Sequence, residues 1–149
     1  MTYQDRNTVV SIFANLAVSA FVILRLLDMN ASGLFDGPDA VNNWARLVIW
    51  LIPLGIVATI IGTISFNIGF AILTNEPKPS FIVDERDRLF ERRGSFAIII
   101  FAGAGFVSAV IALALDASAL MGFNIIYFGM AFGSLAADIV KFICYRRGY

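Results

Sequence analysis

Residues 47–74 read LVIWLIPLGIVATIIGTISFNIGFAILT, a run without a single charged side chain. A spanning helix needs about 20 apolar residues to cross a hydrocarbon layer of about 30 Å, so this run exceeds what one crossing requires. The excess predicts a helix that tilts or continues past the hydrocarbon, with Pro53 kinking it near its start. Trp50 inside the run and Trp44 just before it stand where interfacial aromatics belong.

Outward from this run the same reading repeats. Residues 8–27 form a first apolar stretch, followed by a turn-rich segment, residues 28–43, containing Asn30, Gly33, Asp36, Gly37, Pro38 and Asp39. Two more runs, residues 95–115 and 120–141, are separated only by a tight turn at residues 116–119, which makes them an antiparallel hairpin. The first run is longer than the 7–15 residues of a signal-peptide core and Asp5 offsets Arg6 ahead of it, so it is read as a retained span. The composition agrees: 59% hydrophobic and 15% charged residues leave too little polar surface to cover a soluble globule. The expected fold is therefore all-α, an integral membrane four-helix bundle of two antiparallel hairpins. It forms a single membrane domain over residues 1–149, with no room for a separate soluble one.

One segment breaks the apolar pattern. Residues 75–94, NEPKPSFIVDERDRLFERRG, carry Pro77 and Pro79, which end the second helix, and then a charged helix over about residues 83–94. Only Gly94 separates that helix from the third run, so the two are expected to be continuous. Lysine and arginine are distributed unevenly about the spans. Arg6, then Lys78, Arg86, Arg88, Arg92 and Arg93, then Lys141, Arg146 and Arg147 fall on one side, against Arg25 and Arg46 on the other. The positive-inside rule places both termini and the charged helix in the cytoplasm.

Asp84, Glu85, Arg86, Phe90 and Arg93 fit an Asp-Glu-Arg-x-x-x-[apolar]-x-x-Arg signature. In this the chain resembles small uncharacterised bacterial four-span membrane proteins that carry the signature between spans two and three. The likeness covers about ten residues and the helix plan. It implies the same architecture and a bacterial inner-membrane location, and that family has no activity to carry over.

Asp84, Glu85, Arg86, Arg88, Glu91, Arg92 and Arg93 are the candidate partner-binding residues. Spacings of three and four set Asp84 and Glu85 against Arg88, and Arg88 against Glu91, pairs that support an exposed helix by about 0.2–0.5 kcal/mol each. A solvated extension of the third span explains the run without further function, its acids leading and its bases trailing as the helix dipole prefers. Mixed charge with the apolar side of Val83, Leu89 and Phe90 suits protein recognition better than a lipid anchor. Cytoplasmic proteins, a larger membrane complex and a second copy of the chain are the partners this surface would fit, besides the lipid bilayer itself. A net charge of zero gives no basic field for nucleic acid.

Polar residues inside the spans form a second group. Asn15 and Asn67 lie at nearly one depth on the first two helices, and Ser19 and Thr63 match one turn deeper. With Thr59 they are expected to make a hydrogen-bonded seam between helices one and two. Such contacts hold helices together at about 0.6 kcal/mol each; alternatively they line a path for an ion or small solute. Gly55, Gly62 and Gly69 stripe helix two, Gly103 and Gly105 stand on helix three, and Gly129 and Gly133 give helix four a GxxxG element. All allow close backbone approach, within this chain or between copies.

Arg25 and Asp138 are the ionisable residues well inside the runs. They lie near opposite faces of the membrane and cannot meet, so Arg25 is expected to reach Asp28, and Asp138 to sit within a turn of Lys141. An intramembrane acid also raises proton coupling as a role for Asp138. The sequence has no histidine and one cysteine, Cys144. It supplies no base for a serine or cysteine nucleophile and names no cofactor or metal. Cys144 reads as a free interfacial thiol, with palmitoylation the other use of a cysteine there. Function is therefore expected through interaction, not catalysis: an anchor, accessory or regulatory subunit. The alternative is a small oligomeric transporter or channel using the polar seam.

Overall fold

Polar residues flank each apolar run and continue its helical hydrogen bonding, so the helices outlast the runs that predict them. The computed structural model describes residues 3–74 and 84–148, and there the chain forms α1 (Tyr3–Ala31), α2 (Ala40–Thr74), α3 (Glu85–Ala114) and α4 (Ala119–Arg147). All four are long and apolar enough to cross a membrane, which makes this an all-helical, multi-pass membrane bundle. The charged turns and third span are one continuous helix, α3. α2 runs through Pro53 as a single helix. Pro77, Lys78, Pro79 and Val83 lie outside the described residues.

Both hairpin turns are closed by the same device. Gly33 adopts φ +72°, its N–H reaching Asn30 O at 3.1 Å while Leu34 N–H reaches Met29 O at 3.0 Å. Asp116 adopts φ +61°, with Asp116 N–H on Leu113 O at 3.2 Å and Ala117 N–H on Ala112 O at 3.0 Å. Each is a paired bond pattern around one left-handed residue that satisfies the last carbonyls of a helix. Ser118 then caps α4, its hydroxyl accepting from Met121 N–H at 3.2 Å.

Lipid is as apolar as leucine, so these helices associate through fit and polar contacts and not through hydrophobic burial. The tightest fit joins α3 to α4. A Cβ built on Gly105 would lie 2.9 Å from Gly129 Cα, and one on Gly129 only 2.8 Å from Gly105 Cα. The GxxxG element of α4 thus meets its partner helix within this chain, Gly133 seating against Ile98. On α2 only Gly62 is used this way, against Val10, while Gly55, Gly69 and, on α3, Gly103 face open space. α4 is the central helix: α3 and α1 pack antiparallel on either side of it, α2 packs on α1, and α2 touches α4 only sparingly. That last contact is Trp44, whose indole N–H donates to Asn124 Oδ1 at 2.9 Å and whose ring stacks on Phe123. Trp44 therefore ties two helices, whereas Trp50 is 74% exposed.

Candidate functional site

Both described chain ends and the start of α3 gather at one end of the bundle, where two polar constellations lie. The first is the beginning of α3. Asp84 caps it through a reciprocal box, its side chain accepting from the Asp87 N–H while Asp87 Oδ2 accepts from the Asp84 N–H at 2.9 Å, and Asp84 Oδ1 also accepts from Glu85 N–H at 2.6 Å. The other Asp87 oxygen accepts from the Tyr145 hydroxyl at 2.7 Å. Phe90, 3% exposed, meets the Tyr145 ring edge-to-face at 5.0 Å. One turn on, Gly94 lets α3 close on α4, since a Cβ there would be 3.0 Å from Ala137 O. Tyr145 lies beyond the apolar run ending at residue 141. Burial, then its bond to the Asp87 carboxylate, push its hydroxyl well above the usual phenol range, so it stays a donor at neutral pH.

Asp87, Phe90 and Gly94 recur at helical spacing, so docking them turns the opposite face of α3 outward. That face carries Glu85, Arg88, Leu89 and Arg92, all exposed. The ion pairs expected within this helix do not form. Arg88 makes none among the described residues, and Glu91 reaches across to Lys141 at 3.5 Å. Arg86 donates to Gly148 O at 2.8 Å and Arg93 to Cys144 Sγ at 3.9 Å, so both secure α3 to the end of α4. The physical reason is that cross-helix partners already fixed by packing cost less side-chain entropy than two mobile exposed chains. A cleft of about 550 Å³ opens between α1 and α3, lined by Gln4, Asp87, Arg88, Glu91, Arg92, Ser95 and Tyr145.

The second constellation surrounds Asp138, which is 3% exposed. Its Oδ2 accepts from Ser11 Oγ at 2.6 Å and Asn15 Nδ2 at 2.7 Å, and its Oδ1 pairs with Lys141 Nζ at 2.9 Å. Ser134 Oγ donates to Asn15 Oδ1 at 3.4 Å. A carboxylate with three donors on two oxygens is well satisfied, as a buried charge must be. Lys141 also holds Glu91, so the cluster links α1, α4 and α3. Arg146 stands 3.8 Å from Asp5 and continues the α1–α4 tie outward.

The seam expected between α1 and α2 is largely redistributed. Asn15 turns to α4, not to Asn67. Asn67 donates to Thr63 O at 2.8 Å on its own helix and to Asn7 Oδ1 at 3.4 Å, the one α1–α2 bond of this group. Thr59 is exposed and its hydroxyl bonds Gly55 O at 2.9 Å within α2, while Ser19 is half-buried and makes no hydrogen bond among the described residues. Rotation about the helix axis is what separates them: residues sharing a depth need not share a face. Arg25 pairs with Asp28 at 3.1 Å and stays far from Asp138, as the depth argument requires.

Asp87 is legible in sequence only as one member of the charged run, and Tyr145, Ser11 and Ser134 are not among the residues the sequence points to. The signal was present as polar residues at i, i+4 spacing in apolar surroundings: Ser11 with Asn15, and Ser134 with Asp138. No family model, curated protein or solved structure matches this chain.

Proposed function

We propose that this chain is a non-enzymatic membrane protein that acts through protein–protein interaction, the bundle serving as anchor and the outward face of the first turns of α3 as the recognition surface. The observation that supports this reading is how α3 begins. Asp87, Phe90 and Gly94 fix its rotation against α4, and Arg88, Leu89 and Arg92 are exposed beside a cleft, the two arginines without an ion pair among the described residues. A surface held rigidly in one orientation loses little entropy on binding. The setting is the bacterial inner membrane with both termini and this surface cytoplasmic, as the lysine and arginine distribution favours. The partner is a cytoplasmic protein or a larger membrane complex. Arg88→Glu with Arg92→Glu should abolish copurification of that partner from solubilised membranes and leave insertion unchanged. Arg86 and Arg93 hold α3 in place and are left intact in this test. Unaltered copurification in the double variant would overturn the proposal.

The buried Asp138 favours a second reading, a small oligomeric transporter or channel in which this carboxylate binds the coupling ion. It predicts solute or proton flux in proteoliposomes that Asp138→Asn suppresses. Its satisfied bonding to Ser11, Asn15 and Lys141 is accounted for more simply as the polar tie between three helices.

A further inference from the structure

At the opposite end of the bundle a groove of about 580 Å³ lies between α1 and α2. This lies within the range of about 300–1,000 Å³ of ordinary ligand sites. Its floor is Leu51 and Met29, both 6% exposed, and its walls include Phe21, Leu54 and Val57. The mouth is different in kind. Arg25 from α1 and Arg46 from α2 line the groove there, with Asn43 and Trp50. The bundle thus presents an apolar slot with two cations among the residues lining its outer part.

Depth gives these arginines their meaning. The 29 residues of α1 make a helix about 43 Å long and the 35 of α2 one about 52 Å long, against about 30 Å of hydrocarbon, so both project several ångströms beyond it. Arg25 and Arg46 each lie six residues, about 9 Å, inside the helix end, near the edge of the hydrocarbon and within side-chain reach of the lipid phosphates. The groove then runs from Arg46 to Val57 along α2, about 16 Å into the hydrocarbon. Arg46 makes no ion pair among the described residues, and Arg25 offers Asp28 only one nitrogen of its guanidinium fork. From this geometry we infer that the groove is a specific site for an anionic glycerophospholipid, its phosphate between Arg25 and Arg46 and one acyl chain along Phe21, Leu51, Leu54 and Val57. Two arginines suit a headgroup of net negative charge better than a zwitterionic one, since each gives the phosphate a charge-assisted hydrogen bond and no choline cation stands beside them to offset it.

The test is native mass spectrometry of the full chain released from neutral-detergent micelles, titrated with phosphatidylglycerol or phosphatidylcholine. One phosphatidylglycerol should be retained in preference to phosphatidylcholine. Arg25→Gln and Arg46→Gln should each weaken its retention about fivefold, and together about 25-fold, at the usual strength of one basic residue near an anionic leaflet. Phosphatidylcholine, whose phosphate is offset by its own choline cation, should lose less retention than phosphatidylglycerol in these variants, whose substituted side chains are exposed. Val57→Trp, which fills the groove, should displace the lipid while both arginines remain. Equal retention of the two lipids, or of phosphatidylglycerol by the doubly substituted chain, overturns the site. So does full competition by inorganic phosphate, which would make the groove irrelevant. A dimer mass that Val57→Trp abolishes overturns it too, showing that a second copy covers the groove.

Discussion

Replacing Gly105 with alanine puts one methyl group where α3 and α4 have no space for it. The added carbon would stand 2.9 Å from Gly129 Cα and 3.4 Å from Ile125 O, both backbone atoms that no rotamer change can move aside. The helices must separate, and overpacking of this kind costs about 1–3 kcal/mol. Alanine returns up to about 1 kcal/mol of helix propensity relative to glycine, which offsets part of the cost. Gly103→Ala isolates that offset, because it lies two residues away on the same helix with open space around it. The difference between the two variants should therefore be about 1–3 kcal/mol, with Gly105→Ala the less stable. Reversible unfolding of the purified chain in mixed micelles by an anionic denaturing detergent, followed by circular dichroism, measures it. Equal midpoints would refute the claim that α3 and α4 cross at these two glycines.

Two further perturbations probe the polar end. Asp138→Ala strands Lys141 and leaves Ser11 and Asn15 without their shared acceptor; breaking such a buried pair costs about 3–5 kcal/mol, lowered here because Lys141 keeps Glu91. In the same unfolding assay, adding Lys141→Ala to that variant should cost less than Lys141→Ala costs alone, and strict additivity would show that the pair is not coupled. Tyr145→Phe leaves one Asp87 oxygen buried without its donor, at about 1–3 kcal/mol confined to the start of α3. Trypsin should then cut faster at Arg86 and Arg88 while cleavage after Arg147 is unchanged, and an unchanged rate at α3 would sink the docking role of Tyr145.

Much of the fold is legible because lipid removes alternatives. A run such as residues 47–74 must satisfy its backbone internally, and a single helix is the simplest way to do so. Span number, the short α3–α4 turn and the fusion of the charged turns to span three follow from length and from the few residues between runs. What length does not encode is rotation. Asn15, Asn67 and Asp138 lie at similar depths, and depth alone pairs Asn15 with Asn67. Yet on α1 the residues Asn7 and Asn15 point about 80° apart, one toward α2 and one toward α4.

The charged turns of α3 show the same gap between composition and orientation. Their sequence lists acids and bases at spacings that allow pairing along one helix, and a solvated helix would use them so. Tyr145 changes the outcome. By taking Asp87, and with Phe90 against its ring, it selects which side of α3 faces α4. Glu91 then comes to Lys141 and Arg93 to Cys144 as consequences of that rotation. Tyr145, more than fifty positions away, thus acts with Gly94 and the Gly105–Gly129 crossing to leave Arg88 and Arg92 facing outward while Arg86 and Arg93 bond to the end of α4. No reading of residues 84–93 in isolation contains that choice, because the face presented is fixed by the helix it leans on.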